Sequence, residues 1–149
     1  MSNEKNPMDR FNFFLGTWKL EYKVPKSRFS DEDRGEGEGS FKLILNGRYV
    51  TFDYHAKLSK GEGSAHAIFG WDEKRKIYRY WWYEDSGEFM EASCNFIDDN
   101  TLCLNWHDSL LVQTFQLKGD GKLILQMRYP LNANDYEVIL EVSNTKVLK

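Results

Sequence analysis

His107, Asp108 and Ser109 bring together the three side-chain types of a hydrolytic triad. Neighbours in a tight turn diverge, however, and cannot form the relayed hydrogen bonds that this chemistry requires. Asp and Ser at these positions are typical of turn formation. Cys94 and Cys103 are too few for a disulfide framework and lack the paired spacing of a metal site. The sequence therefore predicts no catalytic residue and no metal site.

Arg79 is the sharpest candidate for binding, and its chemistry depends on the face of its strand. Inside an apolar cavity an unpaired guanidinium is costly, and an acidic ligand would compensate it. Near the open end of such a cavity, the same side chain would reach water or pair with Glu62 or Glu91. Both interpretations stay open at the level of sequence.

Composition excludes several classes of partner. The 20 Lys and Arg residues against 23 Asp and Glu residues give a formal charge of -3, too weak a field to attract nucleic acid or an anionic membrane. The residues Met1 to Lys5 lead into no apolar segment, and no apolar run reaches membrane-spanning length. We therefore expect one cytoplasmic domain over residues 1–149, with no nucleic-acid or membrane partner.

The N-terminal region predicts a short helix that runs into a strand. Asn6 and Pro7 supply an N-cap and a pre-set first helical residue. Gly16 can take the left-handed conformation that ends such a helix. The alternation that begins at Trp18 has the period of a strand with one buried face.

This opening resembles that of a known group of barrels. A helical turn followed by Gly16-Thr17-Trp18 is similar to the Gly-x-Trp opening of lipocalins, fatty-acid-binding proteins and nitrobindin-like barrels. Over its whole length the chain most resembles the DUF1579 family of lipocalin-like proteins. The resemblance implies that Trp18 plugs the floor of a β-barrel.

The same resemblance bears on cofactors. Nitrobindin-like proteins hold a heme through a histidine of the final strand, and the matching residues 136–143 contain none. The Arg-x-Tyr carboxylate clasp of fatty-acid binders is also absent, because Arg128 directly precedes Tyr129. We therefore expect no cofactor, heme included.

Turn lengths predict the inward face of each strand. Asn46-Gly47 is a strong hairpin pattern that places Leu45 opposite Arg48, and directly opposed residues share a face. Followed along the chain, these turns give about ten antiparallel strands, so the fold class is an all-β, up-and-down barrel with a short N-terminal helix plugging one end. The same registers place all three histidines outside, and Cys94 and Cys103 on opposite faces, where no disulfide can form. They also predict two inward sets on consecutive strands: Met90, Ala92, Cys94 and Phe96 on the first, and Leu102, Leu104 and Trp106 on the second.

Two stretches carry open questions. Residues 28–39 are polar, acidic and glycine-rich, which predicts a solvated loop without the ligand spacing of an EF-hand. A five-residue connection at 72–76 would turn Arg79, Trp81 and Tyr83 inward, whereas a four-residue one would turn Tyr78, Tyr80 and Trp82 inward. We favour the first, because bulky rings facing small alanines fill a small barrel without overpacking.

Ten strands exceed the roughly eight that side chains can fill, so we expect an internal cavity. An apolar cavity with few convergent polar groups is the general form of a small-molecule site. The expected function is non-catalytic binding of a small, largely apolar and optionally acidic molecule. The expected ligand-binding residues are Arg79, Gln113, Tyr54, Trp81, Tyr83, Phe52, Phe69, Phe115 and Tyr136.

Two alternatives remain. If Tyr78, Tyr80 and Trp82 line the outer face of their strand, the exposed aromatic patch favours a homodimer or another partner surface. An enzyme acting inside the cavity, with Arg79 as electrostatic stabiliser and a tyrosine as acid or base, is the other alternative.

Overall fold

The computed structural model describes residues 6–147. A 3-10 helix at Pro7–Phe14 is followed by ten strands. The strands are β1 (Gly16–Val24), β2 (Asp33–Ile44), β3 (Tyr49–Leu58), β4 (Gly61–Asp72), β5 (Ile77–Glu84), β6 (Phe89–Asp98), β7 (Thr101–Trp106), β8 (Val112–Leu117), β9 (Leu123–Pro130) and β10 (Tyr136–Lys146). Each strand pairs antiparallel with its sequence neighbours, and β1 pairs with β10, which closes the barrel. The predicted fold class is confirmed.

The helix fills one end of the barrel. The Asn6 side chain accepts a hydrogen bond from the Met8 N–H at 3.0 Å, as the predicted N-cap should. Phe11 and Phe14 are fully buried, and their rings pack against the inward-facing phenylalanines of β2, β4 and β8. Gly16 follows with φ +125, a conformation that favours glycine.

Trp18 lies at the floor of the barrel beside the helix, where the family resemblance leads us to expect it. Its side chain is 1% exposed, and its Nε1–H donates to the Phe14 carbonyl at 2.7 Å. This hydrogen bond satisfies both the indole and a carbonyl at the end of the helix.

The loop predicted over residues 28–39 is wrong for its second half. Residues 33–39 belong to β2, with Gly35, Gly37 and Gly39 facing inward between Arg34, Glu36 and Glu38. A Cβ on Gly37 would lie 2.3 Å from the His55 carbonyl oxygen, so β2 approaches β3 too closely for a side chain. The Gly-Glu alternation is therefore a strand pattern in which glycine occupies the inward positions.

The predicted register of β5 is wrong by one residue. The connection from β4 has four residues, 73–76, and Ile77 pairs with Asp72. The Asp72 carboxylate accepts from the N–H groups of Lys74 and Arg75, both at 3.1 Å, which fixes this tighter turn. Inward positions belong to Tyr78, Tyr80 and Trp82, and outward positions to Arg79, Trp81 and Tyr83.

The turn between β5 and β6 also differs: it is one residue longer than the two-residue turn suggested by Ser86-Gly87, and this returns β6 to its predicted register. A three-residue loop, 85–87, is closed by the Glu84 N–H donating to the Glu88 carbonyl at 2.9 Å. Gly87 has φ +95, as in a three-residue hairpin that ends in a left-handed glycine. Met90, Ala92 and Cys94 therefore face inward as predicted, because the two errors cancel.

The predicted inward position of Tyr136 is wrong because β10 contains a bulge. The pairing of β10 with β9 shifts between Val138 and Leu140, and such a bulge exchanges the two faces of a strand. Leu140 and Val142 face inward, whereas Tyr136 is 52% exposed.

Cys94 is buried, Cys103 is half-buried, and both are free thiols, as predicted. Among the residues that the structure describes, no helix has the length and hydropathy needed to cross a membrane.

Candidate ligand cavity

A cavity of about 370 Å³ occupies the half of the barrel farther from the helix. The cavity exists because the inward residues here are small. Ala56, Gly63 and Ala65 occupy inward positions in this half, whereas the half next to the helix has phenylalanines at its inward positions. The lining consists of Leu20, Tyr22, Phe52, Tyr54, Ala56, Leu58, Gly61, Gly63, Ser64, Ala65, Tyr80, Trp82, Glu84, Met90, Trp106, Gln113, Phe115, Leu125, Met127, Leu140, Val142 and Asn144. Its size falls within the range of small-molecule sites.

The polar groups of the cavity are few and mostly neutral. Trp82 Nε1–H donates to the Tyr54 hydroxyl at 2.8 Å. Gln113 adds an amide and is 4% exposed. Trp106 lines the cavity, and its Nε1 is buried without a hydrogen-bond partner among residues 6–147.

The tyrosines of the cavity are held in their neutral form. Burial raises the pKa of Tyr22 and Tyr80 well above its usual value. Burial also raises the pKa of the Tyr54 hydroxyl, and the nearby Glu84 carboxylate adds to that rise. These hydroxyls therefore act as hydrogen-bond donors and acceptors rather than as bases at neutral pH.

Glu84 is the one carboxylate of the lining, and within the described part of the chain the lining includes no lysine, arginine or histidine. Glu84 is half-buried, and its Oε1 accepts a hydrogen bond from the Ser86 hydroxyl at 2.7 Å. The fixed charge that these described residues present to the cavity is therefore negative.

The structure brings four of the predicted binding residues into this lining: Phe52, Tyr54, Gln113 and Phe115. Phe69 is inward and fully buried, but it lies below the cavity, with its ring 4.9 Å from that of Phe11. The predicted inward positions of Arg79, Trp81, Tyr83 and Tyr136 are wrong, for the reasons of turn length and bulge given above.

Arg79 belongs to a network on the outer wall. Its guanidinium binds the Glu91 carboxylate and lies 3.5 Å from an Asp72 oxygen, with its Cζ 5.6 Å from the centre of the Trp81 ring. Of the two interpretations that the sequence left open, pairing with Glu91 is the one observed. Arg79 cannot compensate the charge of a ligand inside the barrel.

Sequence reasoning missed three prominent lining residues. The five-residue connection favoured at 72–76 places Tyr80 and Trp82 on the outer face, and the aromatic residues on both sides of β5 do not distinguish the two registers. Trp106 was placed on an inward face but not in the site. The tighter Asp72 turn was the available pattern that would have identified the first two.

The expectation of an exposed aromatic face on β5, which favoured a partner surface, is wrong. Tyr78 and Tyr80 are 4% and 3% exposed, and Trp82 lines the cavity. Tyr78 also donates its hydroxyl to the Pro7 carbonyl at 2.6 Å, which ties β5 to the helix.

The histidines lie on the outer wall as predicted: His55, His66 and His107. Each contacts a carboxylate of a neighbouring strand. Residues 6–147 contain no group of three or more His, Cys, Asp or Glu side chains that could hold a metal ion.

One outer-wall trio has the composition of a hydrolytic triad. Ser93 Oγ lies 2.7 Å from His107 Nε2, and His107 Nδ1 lies 3.7 Å from a Glu91 oxygen. The second distance is too long for a hydrogen bond. Because the trio lies on an open wall with Glu91 bound by Arg79, it is a surface network rather than a substrate site.

These features define the class of protein. The chain forms a closed, up-and-down antiparallel barrel of ten strands with a helix and a tryptophan at its floor. The chain belongs to the family DUF1579, described as a protein of unknown function, whose model matches residues 4–107. No protein with a curated description matches the chain in sequence.

Solved structures match the chain at low sequence identity. The crystal structure of Rv2717c from M. tuberculosis has a TM-score of 0.66 and 12% identity, over 97% of this chain and 100% of that one. A fluorescence-activating β-barrel designed de novo has a TM-score of 0.47 and 11% identity, over 93% and 98% of the two chains. A redesigned β-barrel, mFAP0, solved with bound DFHBI, has a TM-score of 0.46 and 6% identity, over 90% and 99%.

Proposed function

We propose that this protein reversibly binds one small, largely apolar molecule inside its barrel and does not transform it. The observation that carries the proposal is the cavity of about 370 Å³, with aromatic and aliphatic walls and few polar groups. Such a cavity excludes water from the body of a ligand and leaves a small number of hydrogen bonds to orient it.

Two aromatic walls would hold the body of the ligand. Phe52 and Phe115 are 4% and 1% exposed and contribute faces from β3 and β8. Trp106 would supply a hydrogen bond, because its buried Nε1–H lacks a partner among residues 6–147. A ligand with a carbonyl, ether or hydroxyl oxygen meets both requirements.

An acidic ligand, one option at the level of sequence, is not part of this proposal. Its basis was an inward Arg79, and Arg79 lies on the outer wall. A carboxylate buried without a cation costs several kcal/mol.

The pKa shifts of the cavity side chains support binding without a chemical reaction. A general base works best with a pKa near the working pH, and burial moves the pKa of Tyr22, Tyr54 and Tyr80 upward, away from neutrality. Burial likewise raises the pKa of the Cys94 thiol, which makes it a poor nucleophile.

Binding can be tested with prodan, a small neutral dye with a ketone oxygen whose emission shifts to the blue in apolar surroundings. We expect saturable binding with energy transfer from Trp82 and Trp106, which line the cavity. Ala56→Phe should weaken binding at least about tenfold, because the new ring occupies the cavity beside Gly37 and Gly63.

Lys57→Phe is the matched control. It adds the same ring at the neighbouring position of β3, where the side chain points outward and is exposed. Equal affinity of prodan for Ala56→Phe and the unchanged protein would place the dye outside the barrel and contradict the proposal.

A further inference from the structure

The charge of the cavity indicates which polar group its ligand carries. We infer that the ligand has a basic amine, or another cationic head, that lies at Glu84 while its apolar body extends toward Phe52 and Phe115. This inference rests on the proposed function and deepens it by naming the class of ligand.

The position of Glu84 is the first argument. Ala65 of β4 pairs with Tyr54 of β3 on one side and with Glu84 of β5 on the other. Directly paired residues share a face, so Glu84 stands across a small alanine from an inward tyrosine. The carboxylate therefore borders the cavity at the end where the barrel opens.

The absence of a compensating cation is the second argument. Within residues 6–147, the residues lining the cavity include no lysine, arginine or histidine. The arginine nearest in sequence, Arg79, is on the opposite face of the strand and is paired with Glu91. A half-buried carboxylate facing an apolar cavity attracts cations and repels anions.

The aromatic surroundings are the third argument. Trp82 lies two residues before Glu84 on the same face of β5, and its Nε1–H donates to the Tyr54 hydroxyl at 2.8 Å. That hydrogen bond joins the two aromatic side chains that neighbour Glu84 in the lining, one on its own strand and one across Ala65. Aromatic faces next to a carboxylate are suited to an ammonium group, which gains cation–π attraction as well as a charged hydrogen bond.

The test compares octylamine, octanol and octanoate, which share one apolar chain and differ in head group. Affinities are measured by displacement of prodan and by calorimetry at low ionic strength. We expect octylamine to bind about tenfold more tightly than octanol, and octanoate to bind most weakly, because a charged hydrogen bond at a partly solvated site contributes about this factor.

Glu84→Gln should lower the affinity for octylamine about tenfold and so remove its advantage over octanol. Glu88→Gln is the matched control, because Glu88 is an exposed acid of the same hairpin that does not line the cavity. Added salt should weaken octylamine more than octanol, as expected for a charge interaction.

The outcomes separate the two proposals. Equal binding of the three compounds, or an amine preference that survives Glu84→Gln, overturns the cationic ligand and leaves the apolar cavity site in place. Failure of prodan and of all three octyl compounds to bind overturns the proposed function itself. The comparison on the unchanged protein is decisive even if Glu84→Gln folds poorly.

Discussion

Removing Trp18 should destabilise the barrel more than almost any other single substitution. The side chain is 1% exposed, its Nε1–H donates to the Phe14 carbonyl at 2.7 Å, and the Lys146 ammonium lies 5.3 Å from its ring centre. Truncation of a buried tryptophan to alanine costs about 3 to 5 kcal/mol. In a domain of this length, that free energy lowers the melting temperature by roughly 6 to 20 °C.

A graded series isolates the hydrogen bond from the packing. Trp18→Phe keeps an aromatic ring but leaves the buried Phe14 carbonyl without its donor, which costs about 1 to 3 kcal/mol. Trp71→Phe is the control, because Trp71 is half-buried and its Nε1–H donates to the exposed Glu73. We expect this control to lose less than about 1 kcal/mol.

Urea unfolding followed by circular dichroism is the appropriate assay, since changing one of the five tryptophans alters the fluorescence directly. The free energy of unfolding should fall in the order control, Trp18→Phe, Trp18→Ala. A loss below about 1 kcal/mol for Trp18→Ala would refute the floor plug, because no buried tryptophan with a satisfied indole is that dispensable.

Two further predictions concern titratable groups. Because burial raises the folded-state pKa of Tyr22 and Tyr80, the unfolded chain releases these protons first, so stability should fall as pH rises above about 10, by about 1.4 kcal/mol per pH unit for each tyrosine. Urea melts across this range should show a smaller slope in Tyr80→Phe, and an unchanged slope would contradict the burial of that hydroxyl. Thiol titration should recover both Cys94 and Cys103 as free groups after denaturation without reductant, with Cys94 unreactive before it; fewer than two groups would mean that the sides assigned to β6 and β7 are wrong.

The sequence was sufficient for the fold wherever one face of a strand was clearly apolar. On β7, Leu102, Leu104 and Trp106 alternate with polar residues, and all three are buried as predicted. Alternation of this kind fixes the register, because a slip by one residue would expose the whole apolar set.

The sequence was insufficient where both faces of a strand carry similar residues. Strand β5 has aromatic side chains at Tyr78, Tyr80 and Trp82 on one face and at Trp81 and Tyr83 on the other. Only the length of the preceding turn decides between them, and that length depends on hydrogen bonds from the Asp72 carboxylate. A difference of one residue in this turn reverses the two faces of β5. The observed turn places Arg79 on the outer wall and Tyr80 and Trp82 in the cavity lining.

Two other features, the first half of β2 and the outward position of Tyr136, could not be predicted because they depend on glycines and on a bulge. An inward glycine has no apolar side chain to mark a strand, so the first half of β2 resembled a loop. The β10 bulge that turns Tyr136 outward adds one residue without any distinctive pattern.

The division of the barrel into a filled half and a hollow half has a consequence for how this architecture can change. Most of the packing around the helix, Trp18 and Phe69 lies in the filled half, whereas the ligand would contact the walls of the other half. Substitutions at Ala56, Ala65 or Met90 therefore reshape the binding volume without disturbing the helix contacts. A barrel built in this way can vary the shape of its cavity at a few small residues, while the contacts around the helix and Trp18 continue to stabilise the fold.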